Sequence, residues 1–313
     1  MIMYRILGFA IFLLLAIACE KEKGLLASNG VENYFEVPDD ATDEESVLRR
    51  NFQKETGSYL LFNDTLRKKM LGHDVDGFPI YAFETVELGY GVVTASSDKF
   101  TFRYLSDLED KKNVTGFVKE NILPLLEERA YPYSFLLVDT VFRTRFLVEE
   151  GDDIGSGLWG SRTAIDFYSG VRCLALSLGG VLEMDDVGKR EFMRELFKGM
   201  IESSLTVMTT ELAAFYAFGE EYYGEGDLEV GWDIDYVEDL RELGFLEGYI
   251  SYGYAYAYFP LKHEELAAFI NALFEDEETF LGENEEYPFV IQKYNLLKEI
   301  VKDLGYRLEL LNQ

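Results

Sequence analysis

Between Glu191 and Phe218 apolar residues recur at spacings of three and four: Met193, Phe197, Met200, Ile201, Leu205 and Met208, with Ser204 on the same line. That period puts them on one face of a single helix, and a face so continuous must be buried, so the fold has to be built around this helix. The chain before it has a different grain. Around Phe78 to Tyr104 short segments rich in β-branched and aromatic residues alternate with glycine and charge, and "YSFLLVDTVFRTRFLV" reads as one extended strand. "VTGFVKENILPLLEER", Val114 to Arg129, has helical spacing with Pro124 as a kink. Sheet and helix first, then mainly helix, make the fold class α+β, with an N-terminal lobe over 34–185 and a helical C-terminal lobe over 186–313.

Local signals fill in the remaining elements. "DDATDEES" carries an Asp/Thr helix start and an acidic first turn, and the helix leads to a short strand at "YLLF". Further helices are predicted at Val237 to Leu243, His263 to Phe274 and Pro288 to Gly305, the last with glycine as its stop. The acidic runs "EEGDD" and "FEDEETFLGENEE" lack the alternating Asp spacing and central glycine of a calcium loop and read as solvated loops.

The N-terminus is an export signal. Arg5 precedes twelve apolar residues, Ile6 to Ile17, which is too short for a spanning helix of about twenty. "LLLAIAC" resembles a bacterial lipobox, and the resemblance implies a signal peptide over 1–18 and a lipidated Cys19. Acyl chains contribute about 0.8 kcal/mol per buried methylene, enough for two or three of them to hold a protein on a membrane. Residues 19–33, opening with "CEKEK", read as a flexible tether similar to the charged surface-export tags of Bacteroidetes lipoproteins. Cys173 is then the one thiol left, so no intramolecular disulfide is expected and the fold must stand on its core.

Charge narrows the partners. A formal net charge of −29 repels phosphate backbones, which excludes nucleic acid. The G-x-G-x-x-G pattern of Gly155, Gly157 and Gly160 follows a charged run with no helix after it, and reads as a turn rather than a dinucleotide site. In "YGYAYAYF" the residues Tyr252, Tyr254, Tyr256 and Tyr258 alternate with glycine and alanine. Extended, they share one face, either as a binding surface or packed on neighbouring helices.

One short stretch poses a catalytic question. "PLKHEELAAF" begins like the zinc motif H-E-x-x-H, yet Ala267 stands at the second histidine position. The chain has two histidines, His73 in the apparent turn "LGHDVDG" and His263, and neither has a histidine four residues on. A two-histidine helical zinc site cannot be assembled in any register.

Several blocks in order carry a wider resemblance: the lipobox, "DATDEESVLRRNFQKETGSYLLFN", "GWDIDYVEDLRELGFLEGYIS" with Trp232, "EELAAFINALF" and "IQKYNLLKEIVKDLGYRLELL". Together they resemble the zinc-binding metallopeptidase lipoproteins of Bacteroidetes, which have a gluzincin-like fold. The resemblance implies a zincin-like architecture. It also implies that the H-E-F-x-H helix of the family falls on "IESSL" and its third-ligand motif E-D-F-A-E on "EELAA". Glu202 then keeps the general-base position while Ile201, Leu205 and Ala268 replace the three ligands, so no metal, cofactor or catalytic residue is expected. The implied role is a lipid-anchored binding or scaffolding subunit at the outer membrane and cell surface, held through Cys19, in company with outer-membrane transporters or other lipoproteins of nutrient uptake. Two rival readings are a metallopeptidase with a carboxylate-rich site and a glycan- or peptide-binding lipoprotein that uses the tyrosines.

Overall fold

The computed structural model describes residues 33–86, 88, 98–147, 158–223, 227–229, 239–251 and 256–311. The chain divides into two compact units, Met1–Glu36 and Val37–Gln313. In the first, the Glu36 amide donates to the Asn33 carbonyl at 3.1 Å. All that follows concerns the second, which is α+β.

Helix α1, Glu44–Thr56, starts where Asp43 accepts the Ser46 amide and stops at Gly57, whose φ of +79° suits glycine. Strand β1, Tyr59–Leu61, follows at the predicted place. A hairpin comes next, formed by β2, Thr65–His73, and β3, Pro79–Thr85. His73 is therefore the last residue of a strand, and the turn starts one residue later at Asp74. Strand β4 is Lys99–Arg103. Helix α2, Leu108–Phe117, runs into a π-turn at Val118–Ile122 and a 3-10 turn at Leu123–Leu125 containing Pro124, so the helix expected from Val114 onward loses its regular geometry from Val118, ahead of the proline.

The run "YSFLLVDTVFRTRFLV" is two strands, not one. Strand β5, Ser134–Val138, is buried at every residue, while β6, Thr140–Leu147, belongs to another sheet. Asp139 marks the switch, its amide bonded to the Arg103 carbonyl and its carboxylate taking the Arg103 guanidinium. A strand apolar on both faces suits a parallel sheet, whereas the polar-alternating β6 suits an antiparallel one.

Strands β7, Leu158–Ile165, β8, Phe167–Ser169, and β9, Leu174–Ser177, complete this region. One sheet has the order β1-β5-β9-β8, with β1, β5 and β9 parallel and β8 antiparallel to β9. A second, antiparallel sheet has the order β4-β6-β7. Gly160 lies within β7 rather than in a turn, and Gly155 and Gly157 lie outside the described residues. Cys173 is buried as expected of an apolar thiol.

Helix α3, Asp186–Leu205, is the predicted core helix, capped by the Asp185 carboxylate on the Gly188 amide and burying Met193, Leu196, Phe197, Met200, Ile201 and Leu205. It ends sooner than the apolar spacing suggests. After Leu205 comes "TVMTT", rich in β-branched residues, and Thr206 offers its hydroxyl as well as its amide to the Glu202 carbonyl, at 2.8 and 3.0 Å. The chain turns, forms the one-turn helix α4, Ala213–Tyr216, and reaches strand β10, Asp227–Glu229.

A 3-10 turn at Leu240–Leu243 takes the place of the helix foreseen there, and residues 237 and 238 lie outside the described residues. Strands β11, Tyr249–Ser251, and β12, Tyr256–Tyr258, pair antiparallel in the order β10-β12-β11. Helix α5, Lys262–Leu273, is followed by α6, Glu277–Glu283, so "FEDEETFLGENEE" is a helix and not a loop. Asp276 caps it on the Thr279 amide and Glu277 binds Lys298. "EEGDD" lies outside the described residues. Helix α7, Pro288–Asp303, has proline in its first turn, and Gly305 follows at φ +91°. A short α8, Leu308–Leu311, ends the description.

One apolar cluster runs through the unit, from Phe52 of α1 and Phe135 of β5 through Phe197 and Ile201 of α3 to Phe269 of α5, Leu297 of α7 and Leu308 of α8. The sheet region and the helices thus share this core, with α3 and α5 packed together inside it, while Leu240, Phe245 and Phe259 form a smaller cluster of their own.

Candidate functional site

The end of α3 and the start of α5 are built from different local rules, and between them lies a cleft. Helix α3 stops at its threonine-rich continuation. Helix α5 begins where the Glu264 carboxylate accepts the Leu261 amide at 2.8 Å. The cleft has a volume of about 690 Å³ and an apolar floor of Leu205, Leu212, Ala213, Ala217 and Leu266. Tyr216 forms one wall, its hydroxyl donating to the Lys262 carbonyl at 3.2 Å. Thr206, Thr209 and His263 add polar groups, and at the rim Lys262 pairs with Glu220 at 2.8 Å.

Immediately behind this cleft is an ionic cluster sealed from water. The Lys293 ammonium of α7 donates to Glu265 Oε1 of α5, and neither side chain has any exposed surface. The Tyr223 hydroxyl donates to the other carboxylate oxygen, and lies 3.4 Å from Lys293 Nζ. Around the ammonium stand the rings of Phe215, Phe245 and Phe269, with centroids 4.7, 4.9 and 5.3 Å away. Burial pushes the Glu265 carboxyl up to about 7 despite the pull of Lys293, and burial lowers the Lys293 ammonium against the pull of Glu265. Tyr216 links the two features: it lines the cleft and meets Tyr223 edge to face at 5.5 Å. Burial, and secondarily the charge of Glu265, raises its phenol to about 12.

The positions singled out by sequence fall as follows. Ile201 and Leu205 are wholly buried, and Leu205 also forms part of the cleft floor. Glu202 points away, exposed, and its backbone carbonyl accepts from both the amide and the hydroxyl of Thr206. Ala268 is buried on α5. Tyr256 and Tyr258 lie in β12, opposite Ser251 and Tyr249 of β11, while Tyr252 and Tyr254 lie outside the described residues, as does Cys19. The two histidines are far apart in sequence, one at the end of β2 and one on the first turn of α5. Among the described residues no three His, Cys, Asp or Glu side chains converge as a metal-binding group.

Sequence reasoning missed the Glu265–Lys293 pair, although a signal was present. Lys293 interrupts the apolar stripe Val290, Tyr294, Leu297 and Val301 of α7, and Glu265 sits among Leu266, Phe269 and Ile270 of α5. A charge on each of two buried faces calls for an opposite charge across the core.

No family model, curated protein or solved structure gives a significant match to this chain.

Proposed function

We propose that this chain is a zincin-like, lipid-anchored protein of the bacterial cell surface that has no metallopeptidase activity and acts as a binding or scaffolding subunit. In this reading it belongs with the zinc-binding metallopeptidase lipoproteins of Bacteroidetes, is held at the outer membrane through Cys19, and works beside a transporter or a second lipoprotein. The observation that carries the non-catalytic part is the state of the former ligand positions. Ile201 and Leu205 are fully buried and Ala268 is 8 % exposed, so these three positions pack the protein and offer no lone pair to a metal.

The residues present at these positions do not fit zinc. What remains beside them is an apolar cleft closed by Tyr216 and rimmed by Lys262, Glu220 and His263, which suits retention of a ligand better than its hydrolysis. Burying an isoleucine and a leucine in place of two metal ligands contributes roughly 1.5–3 kcal/mol each, so the fold needs no metal to hold this helix.

The test is the metal content of the protein from Gly24 onward, measured by elemental analysis after incubation with zinc and removal of the excess. No retained zinc in a folded sample is the expected result. Near-stoichiometric retention overturns the proposal and restores a carboxylate-based peptidase.

A further inference from the structure

The β2–β3 hairpin is well specified by its own turn and register. Its turn is fixed by Asp74, whose carboxylate accepts the amides of Asp76 and Phe78 at 3.0 and 2.8 Å, with Gly77 at φ +87°. Its register runs from Thr65 opposite Thr85 to His73 opposite Pro79. Among the described residues neither strand pairs with a third, and every residue of β3 is exposed. Met70, Ile80 and Phe83 leave 51 %, 46 % and 59 % of their surface in solvent. A two-stranded hairpin is marginal in water, and an apolar edge of this kind is a template for another strand.

The two edges are not equivalent. Strand β2 carries Arg67, Lys68 and Lys69 in succession, so laying it against its own copy sets positive charges against one another. Strand β3 has no charge from Pro79 to Phe83. Set antiparallel to itself with Ala82 on the two-fold axis, it brings Tyr81 opposite Phe83 of the second copy on both sides, and Ile80 opposite Glu84. No like charges oppose each other, and each aromatic finds an aromatic. Lys68 is already placed over the Tyr81 ring at 4.1 Å, which keeps a cation beside that pair without putting it on the β3 edge.

We propose that β3 is a self-association edge, through which two copies of this chain form a continuous four-stranded antiparallel sheet in the order β2-β3-β3-β2. The contact is isologous, so it closes at two copies. Its area is small beside the roughly 1,600 Å² of a standard interface, and each copy carries a net charge of −29, so the dimer is weak and tightens as salt screens that repulsion. An acidic partner drawn to Arg67, Lys68 and Lys69 has the opposite salt dependence.

The full chain in detergent, carrying Ala82→Cys or Val75→Cys, is treated with a short bis-maleimide, and the unsubstituted chain gives the background from its own thiols. Both positions are exposed, but the pairing puts the two Ala82 side by side, whereas Val75 lies in the turn about five strand positions from the two-fold axis in each copy, so the two Val75 are on the order of 35 Å apart. The expected result is a covalent dimer from Ala82→Cys several-fold above both Val75→Cys and background, in a yield that rises with salt. Phe83→Glu, exposed and so harmless to the core, is expected to abolish the dimer in sedimentation. The proposal is overturned if Ala82→Cys stays at background, if Val75→Cys links equally well, if Lys69→Cys links in its place, or if added salt lowers the yield.

Discussion

Lys293 donates to Glu265 in the interior of the protein, from one helix to another, and neither side chain reaches solvent. The contact ties α5 to α7 directly behind the cleft, and Tyr223 completes the coordination of the carboxylate. Charges removed from water at this depth are retained only while each keeps its partner.

Removing one partner is therefore expected to cost more than removing both. Glu265→Leu or Lys293→Met alone should destabilise the protein by about 3–5 kcal/mol, since each strands a buried polar group. The double replacement Glu265→Leu with Lys293→Met should recover most of that loss. Urea midpoints of the four proteins, taken as a double-mutant cycle, give the coupling; equal and additive losses would mean that the pair does not act as a unit.

The same pair sets a pH dependence whose sign is fixed by proton counting. Glu265 has an ordinary value of 4.5 and is raised to about 7 in the fold, so between these values the folded protein keeps a proton that the unfolded chain has lost. Its contribution to stability is complete below 4.5 and is lost as pH rises through about 7. Lys293, lowered from 10.5, acts in the other direction on the alkaline side, where stability rises toward 10.5. Tyr223, Tyr216 and Lys262 are the other titratable groups around the pair, and the stability difference between wild type and Glu265→Gln isolates the carboxyl from them. That difference should move steadily against the wild type between pH 5 and pH 7; a flat difference would show that Glu265 titrates normally.

Cys173 is buried at the head of β9, and desolvation pushes its thiol to about 12. With almost no thiolate at neutral pH it should resist alkylation in the native protein and react fully in denaturant. Peptide mapping after a pulse of iodoacetamide reads this residue separately from Cys19. Rapid native labelling would place the thiol at the surface.

Two glycines should respond in opposite ways to alanine. Gly305 ends α7 at φ +91°, and an added Cβ would lie 2.8 Å from that of Ala130, so Gly305→Ala should cost roughly 1–2 kcal/mol or more. Gly282 lies within α6 with open space around it, and Gly282→Ala should stabilise by about 0.5–1 kcal/mol. Thermal midpoints of the two variants are sufficient to separate these outcomes.

By itself the sequence determined what depends on neighbours along the chain. Asp43 and Gly57 bound α1, Pro288 and Gly305 bound α7, and the stripe through Phe197 and Ile201 makes α3 a core helix, because caps and helical spacing act within a few residues. The α+β class follows from the same local patterns. Only the tertiary structure decided what depends on residues brought together from afar. It split the run around Asp139 between two sheets and placed Glu265 against Lys293 across 28 positions. It also opened the cleft at the end of α3, which no single segment encodes. The physical reason is that burial is a property of the packed whole: a charge becomes an internal ion pair, and a helix end becomes the floor of a pocket, once other elements have excluded water around them.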